Sequence, residues 1–126
     1  MNSTKSKIVL MVQSARRVYC YFSVSPLFIK EFSDKHGEAL WSSSKPVLKV
    51  YELQGNEEKE IESIFIDTFA DNWYIDLNKD AIDILVKLKR LLPDNTYIDV
   101  ATSNKVTTPR MVESQDTSVY YKDIKE

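Results

Sequence analysis

The sequence predicts a single, mainly β domain in which two antiparallel sheets pack face to face. Three observations support this fold class. The chain has 126 residues, close to the commonest size of one domain. Its apolar residues mostly alternate with polar ones over short runs, as expected for strands with one buried face. Turn-forming residues separate these runs, which is typical of antiparallel hairpins.

The first two strands are predicted at residues 7–13 and 17–24. Residues 7–13 (KIVLMVQ) form a short run rich in β-branched side chains, which favours a strand buried on both faces. Residues 17–24 alternate, so Cys20 is expected to be an inert thiol in the core, whereas Tyr19 and Tyr21 project from the opposite face. The second strand therefore presents two rings away from the core.

A short helix is predicted at residues 26–36, directly after the second strand. Ser25 can cap its first turn, Pro26 suits the first helical position, and Gly37 ends it. The apolar residues of this helix need a surface on which to pack. We favour the surface that carries Tyr19, which the helix would then cover.

The next segment is interpreted as a loop followed by a hairpin. Residues 38–46 contain three consecutive serines, which indicates a loop held to the body by Trp41. Residues 47–53 and 61–67 alternate and are predicted to be strands three and four. The charged residues 55–60 (GNEEKE) are the predicted turn between them.

Three further strands are predicted at residues 72–77, 84–91 and 97–101. Periodicity alone leaves residues 81–92 open between helix and strand, because both spacings are present. The turn at residues 93–95 and the alternation after it indicate a hairpin, which requires its first arm to be a strand. We therefore predict strand.

These elements give seven strands and one helix, an arrangement typical of an immunoglobulin-like antiparallel β-sandwich. We assign this domain to residues 7–110. Residues 1–6 are expected to be a flexible terminus. Residues 111–126 form a polar tail that is either disordered or docked on a sheet edge.

Composition argues against several functional classes. Seventeen basic and nineteen acidic residues leave a net charge of −2, which predicts no nucleic-acid partner. The longest apolar run, residues 8–12, is far shorter than the ~20 residues that cross a bilayer, so we expect no membrane insertion. The start lacks the pattern of a signal peptide, which predicts a cytoplasmic protein.

Catalytic and metal-binding residues are scarce. One cysteine, Cys20, and one histidine, His36, cannot form a disulfide or the usual four-ligand zinc site within this chain. His36 stands at a predicted helix end, where a cation is favourable against the helix dipole. We predict no catalytic residue, no metal ligand and no cofactor.

Four segments in this order carry a resemblance: residues 19–26 (YCYFSVSP), 47–51 (VLKVY), 72–75 (NWYI) and 91–110, which contains LLPD and ends in SNKVTTPR. Together they resemble the bacterial family catalogued as domain of unknown function 4912 (DUF4912), over residues 7–110. The resemblance implies no activity that can be placed on residues. It does imply that the domain is an accessory module of the kind that occurs beside glucan-processing enzymes.

Two residues depart from the pattern of that family. Tyr19 stands where a tryptophan is expected, which weakens an argument from ring stacking. Asn95 stands where the turn would often carry glycine.

The candidate ligand-binding residues are aromatic side chains and polar residues near strand ends. They are Tyr19, Tyr21, Trp41, Asn72, Tyr74, Asn104 and Arg110. Rings on a sheet surface can form a flat platform for sugar rings or for the apolar side chains of a partner. Polar residues beside turns can present hydrogen-bonding groups to a ligand, although they also serve to shape the turn.

The leading hypothesis is a non-catalytic binding module whose ligand is a glucan-type carbohydrate or another protein. Carbohydrate binding requires exposed rings flanked by hydrogen-bonding groups, whereas a protein partner requires an apolar patch or an unpaired edge strand. The alternative is a small metal-dependent or hydrolytic domain that uses Asp67, Asp71 and Asp76, which would have to converge. The sequence leaves the oligomeric state open.

Overall fold

The computed structural model describes residues 5–111 of the chain. These residues form eight strands and two helices. The strands are β1 (Lys7–Ser14), β2 (Arg17–Ser23), β3 (Lys45–Gln54), β4 (Glu57–Phe65), β5 (Asn72–Asp76), β6 (Asp83–Leu91), β7 (Tyr97–Thr102) and β8 (Val106–Thr107). The helices are α1 (Pro26–His36) and α2 (Glu38–Ser43).

The strands form two open sheets. The first has the order β1-β2-β5, and the second has the order β4-β3-β6-β7, with β8 beside the start of β6. All neighbouring strands are antiparallel. The prediction of a mainly β, antiparallel domain is therefore confirmed.

Both sheets contribute to one hydrophobic core. Alternate residues of each strand point inward, as the pleat requires. The buried core includes Leu10, Val18, Cys20 and Ile75 from the first sheet and Leu48, Val50, Ile84 and Val86 from the second. Burying a side chain of this size contributes about 1.5–3 kcal/mol, so this shared core is what holds the two sheets together.

Helix α1 has the predicted bounds and the predicted cap. The Ser25 hydroxyl accepts hydrogen bonds from the backbone N–H groups of Leu27 and Phe28, and Pro26 occupies the first turn. The helix ends at Gly37, whose φ of 96° lies in a region that side chains rarely adopt. The short sequence signals were sufficient here because both ends are stabilised locally.

The predicted loop at residues 38–46 is wrong except at Ser44, because residues Glu38–Ser43 form α2 and β3 already begins at Lys45. Serines are weak helix formers, and no side chain caps the start of this helix. Its support comes from distant residues: the ring of Trp41 contacts rings of α1 and the guanidinium of Arg90. A local pattern cannot reveal such contacts.

Three predictions about the strands also need correction. The first strand is buried on one face only, because Ile8 and Leu10 are buried while Met11 is 42% exposed. Most of the predicted turn at residues 55–60 is strand: β4 begins at Glu57 and ends at Phe65, before the predicted end at residue 67. The eighth strand, Val106–Thr107, was not predicted because two residues carry no periodic signal.

Residues 81–92 are confirmed as mainly strand. Along β6 buried and half-buried residues alternate without interruption, as side chains do along a strand. The strand pairs with β3 on one side and with β7 and β8 on the other. The turn that follows places Asn95 at a φ of 71°, a conformation that asparagine tolerates better than most residues. Asparagine can therefore replace the glycine that this turn would often carry.

The ends of the chain lie largely outside the described residues. The predicted flexible terminus is described only at Lys5 and Ser6, and the predicted tail only at Met111. The Ser6 hydroxyl accepts a hydrogen bond of 2.8 Å from the backbone N–H of Ser25. Within the described range, no helix is long and apolar enough to cross a membrane.

Candidate functional site

The outer surface of the sheet β1-β2-β5 carries most of the predicted site residues. We call it the tyrosine face and define it by the outward side chains Val9, Met11, Tyr19, Tyr21, Asn72 and Tyr74. Their neighbours in sequence, such as Leu10, Cys20 and Ile75, point into the core. Cross-strand pairing aligns Tyr19 with Tyr74 and Tyr21 with Asn72. The pleat therefore gathers these side chains on one side.

The three tyrosines differ in exposure. Tyr74 is 53% exposed and Tyr21 is 42% exposed, whereas Tyr19 is half-buried. The ring centroids of Tyr19 and Tyr74 lie 4.7 Å apart with an interplanar angle of 44°. This contact limits the rotation of both rings, so the face offers aromatic surface that is already ordered.

One end of the tyrosine face carries a charged pair. Arg17 Nε donates a hydrogen bond of 2.7 Å to Asp76 Oδ1, and the guanidinium carbon lies 5.7 Å from the centre of the Tyr74 ring. The hydrogen bond from Arg17 lowers the pKa of the Asp76 carboxyl; desolvation opposes this shift, and the charge of Arg17 adds to it. Hydrogen-bonding groups thus lie beside exposed ring surface.

Neither helix covers the tyrosine face. Within the described residues α1 and α2 pack against each other and not against β1, β2 or β5. The expectation that the helix at residues 26–36 covers Tyr19 and Tyr21 is therefore wrong. The apolar residues of α1 instead find a surface in Trp41 of α2.

Trp41 lies in a separate cluster. Its ring meets Phe28 at 6.0 Å and Phe32 at 5.6 Å, both edge to face. The guanidinium of Arg90 lies 4.2 Å from its ring centre on another side. Trp41 is half-buried by these contacts, which join the two helices to β6. It is thus not part of the tyrosine face.

Asn104 and Arg110 also lie away from the tyrosine face. The Asn104 amide accepts a hydrogen bond of 2.9 Å from the backbone N–H of Leu10 and donates one of 3.0 Å to the backbone carbonyl of the same residue. It thereby occupies part of the free edge of β1. Arg110 is exposed near Asp80, whose pKa is lowered first by the backbone N–H of Met111 and then by nearby arginines including Arg110.

Sequence reasoning missed three outward residues of this sheet surface, Val9, Met11 and Arg17. Arg17 has the same phase as Tyr19 and Tyr21 along β2, and Met11 and Val9 are the cross-strand partners of these two tyrosines. The period of two along residues 17–24 was the signal that could have identified Arg17.

Groups with catalytic potential are separated or buried. Burial raises the pKa of the Cys20 thiol to about 11, which agrees with the predicted inert thiol. The three aspartates of the alternative hypothesis have different partners: Asp67 accepts from the Phe69 N–H, Asp71 from the Asn72 amide, and Asp76 from Arg17. Among residues 5–111 no group of three or more carboxylate, imidazole or thiol side chains could hold a metal ion.

The family of the chain follows from a comparison with known protein families. The family model described as "Domain of unknown function (DUF4912)" matches residues 4–119, which is most of the chain. The chain belongs to the DUF4912 family. The match extends beyond residues 7–110, over which the sequence motifs carried the resemblance. No curated protein matches this DUF4912 member.

Proposed function

We propose that this DUF4912 domain is a non-catalytic binding module and that its tyrosine face binds a glucan-type carbohydrate. The observation that carries the proposal is the ordered contact of half-buried Tyr19 with exposed Tyr74, beside exposed Tyr21, on a sheet surface that no described helix covers. The apolar side of a sugar ring can stack on such rings.

The polar surroundings favour a sugar over a purely apolar ligand. Asn72 lies opposite Tyr21 in the strand pairing, and Arg17 and Asp76 flank Tyr74. The Arg17 guanidinium lies 5.7 Å from the centre of the Tyr74 ring, and the side chains of Asn72 and Asp76 are exposed, so these groups can bond hydroxyl groups of a stacked sugar. Tyr19 and Tyr21 are about 7 Å apart along β2, because each residue advances a strand by about 3.4 Å. The platform therefore extends along the strand.

A protein partner is the second candidate. Met11 and Val12 on β1 are 42% and 38% exposed, and β1 is an edge strand of its sheet. Met11 continues the tyrosine face toward that edge, whereas Val12, the cross-strand partner of Val18, has the opposite phase and is exposed at the end of the strand. A partner that buried them would gain hydrophobic contacts that a sugar does not need.

The metal-dependent or hydrolytic alternative has less support. It requires Asp67, Asp71 and Asp76 to converge, whereas each of them hydrogen-bonds to a different group. Asp76 in particular is already neutralised by Arg17. We therefore do not extend the proposal to catalysis.

Two finer assignments belong to the same proposal. The two sheets with one core support an immunoglobulin-like arrangement. The single cysteine, Cys20, is unpaired and buried, which supports a cytoplasmic location. The resemblance to a bacterial family supports a bacterial host.

The test is a titration with maltoheptaose and glycogen, followed by backbone amide NMR and by tryptophan fluorescence. We expect saturable shifts at residues of β2 and β5, because these strands carry the platform. Tyr74→Ala should weaken binding about tenfold, since one stacked ring contributes about 1–2 kcal/mol.

Tyr97→Ala is the matched control. Tyr97 is 39% exposed on the other sheet and should leave the affinity unchanged. If neither glucan shifts any resonance at millimolar concentration, or if Tyr97→Ala weakens binding as much as Tyr74→Ala, the carbohydrate proposal is wrong. Shifts confined to β1 in the presence of a host protein would favour the second candidate.

A further inference from the structure

A buried arginine, Arg90, hydrogen-bonds to Ser44 at the end of α2. Arg90 lies on the inward side of β6 near its end and is only 7% exposed. Its Nε donates a hydrogen bond of 2.6 Å to the Ser44 hydroxyl. Its Nη2 donates to the backbone carbonyl of Ser44 at 3.1 Å and to that of Trp41 at 3.4 Å. One side of the guanidinium thus holds the end of α2.

The other side of the guanidinium has spare binding capacity. Its Nη1 donates to no acceptor in the part of the chain that the structure describes, and no described carboxylate forms an ion pair with Arg90. Nη1 is also not fully enclosed, because the one enclosed side-chain N or O atom without a hydrogen bond in that range is Glu52 Oε1, which is ion-paired with Lys79. An arginine stays charged in this setting.

Arg90 forms part of the wall of a cavity between the two sheets. The cavity has a volume of about 260 Å³. Its walls are mainly apolar and include Phe22, Ala70, Leu88 and Val100. At roughly 30 Å³ for a group the size of a water molecule, it has room for about nine non-hydrogen atoms.

We propose that this cavity binds a small aliphatic monocarboxylate, whose carboxylate meets Arg90 and whose chain lies between the sheets. A carboxylate matches the planar donors of a guanidinium and supplies the missing negative charge. An apolar chain matches the remaining walls. This site is separate from the tyrosine face, so the proposal does not depend on carbohydrate binding.

One carboxylate, Asp71, also lines the cavity and has the opposite charge to Arg90. It is exposed, and its Oδ1 accepts a hydrogen bond of 2.7 Å from the Asn72 amide. Water screens an exposed charge far more than a buried one, so Arg90 dominates the recognition of charge inside the cavity. A ligand recognised by Asp71 would instead be a cation, which the experiment below distinguishes.

The test compares hexanoate, hexan-1-ol and hexylammonium, which share one chain and differ in charge. Binding to the full chain is followed by the backbone amide resonances of Leu88, Arg90 and Val100 and by Trp41 fluorescence. We expect saturable binding of hexanoate with a dissociation constant of about 1 mM or tighter, a range that ligands of this size reach. Hexan-1-ol should bind at least about tenfold more weakly.

Two variants test the placement. Ala70→Leu narrows the cavity and leaves Ser44 and Trp41, the hydrogen-bond partners of Arg90, unchanged, and should weaken hexanoate binding about tenfold. Phe69→Ala is the control, because Phe69 is 92% exposed next to the cavity wall and should change nothing. Arg90→Met should remove the preference for hexanoate over hexan-1-ol.

Three results would each overturn the proposal. The first is equal binding of hexanoate and hexan-1-ol, the second is tighter binding of hexylammonium, and the third is an Ala70→Leu variant that binds hexanoate like the wild type. If Arg90→Met fails to fold, because Arg90 also supports α2, the ligand comparison and Ala70→Leu decide the question without it.

Discussion

The outer surfaces of the two sheets differ in how their polar and aromatic groups are used. The outer surface of the second sheet, which we call the lysine face, carries Lys49, Lys87 and Lys89. Each of them forms an ion pair of 2.8–3.1 Å with a carboxylate of another strand of that sheet. The ammonium groups of Lys49 and Lys87 also lie over tyrosine rings, at 4.3 and 4.8 Å. Beside the tyrosine face, Arg17 and Asp76 form the one such pair among residues 5–111.

This difference shows which surface has binding capacity left. On the lysine face, cations occupy the rings of Tyr51 and Tyr97, and carboxylates neutralise the cations. On the tyrosine face, Tyr21 and Tyr74 remain 42% and 53% exposed, and among the described residues the cation nearest to the Tyr74 ring is Arg17, at 5.7 Å. The number of aromatic residues does not distinguish the two faces. The charged side chains that lie close to the rings distinguish them.

The largest expected effect is on stability, from the lysine face. Glu60→Ala should lower the free energy of unfolding by about 1–3 kcal/mol, because it leaves the ammonium of Lys49, which is only 8% exposed, without its counter-charge. Urea denaturation followed by circular dichroism measures this loss. Asp76→Ala is the comparison and should cost clearly less, since both members of the Arg17 pair are in water. Equal losses of stability in Glu60→Ala and Asp76→Ala would contradict the expected difference between the lysine face and the tyrosine face.

A smaller loss is expected at the free edge of β1. Asn104→Ala removes two hydrogen bonds to Leu10 and should cost about 1 kcal/mol. Hydrogen exchange should speed up at the amide of Leu10 and not at that of Val50 in the centre of the second sheet. Unchanged exchange at Leu10 would show that the Asn104 side chain does not hold this edge.

A larger aromatic surface on the tyrosine face should bind a glucan more tightly. Tyr19→Trp adds ring surface next to Tyr74 and should tighten binding of maltoheptaose about threefold to tenfold. Tyr51→Trp on the lysine face serves as the control, because Lys87 covers that ring. Titration calorimetry measures both variants. If Tyr51→Trp improves binding equally, the tyrosine face is not the site.

The smallest effect is a change in one titration. The folded-state pKa of Asp76 lies below its usual value of 3.8 because of Arg17, so the pair stabilises the fold above that value, and the stabilisation is lost as the pH falls through the folded-state pKa. Arg17→Gln should return the pKa of Asp76 toward 3.8, as measured by NMR of the carboxyl carbon. A pKa that stays depressed in this variant would show that another group is responsible.

Much of the fold was predictable because its signals are local. Alternation along residues 17–24 placed Cys20 in the core and Tyr19 on the surface, and the cap at Ser25 fixed the start of α1. The strand at residues 84–91 needed one further step, the turn at residues 93–95, since periodicity alone left it open. Each of these decisions rests on residues that are close in sequence.

The errors arose where the deciding contacts are distant in sequence. Helix α2 depends on Arg90, which follows Ser44 by 46 residues and bonds to its hydroxyl and carbonyl. The charged residues 57–60 resemble a turn, yet they belong to β4 because Glu58 and Glu60 find lysines on β6 and β3. No periodic pattern carries this information.

The candidate site shows the same division. By itself, the sequence determined that Tyr19, Tyr21 and Tyr74 point away from the core, because side chains alternate along a strand. It also determined membership of the family through its ordered motifs. Three features could be known from the structure alone. These are the pairing of β2 with β5, the packing of the helices against each other, and the contact of Trp41 with Arg90 and not with the tyrosines. The physical reason is that pairing between strands and packing between layers depend on residues far apart in the chain.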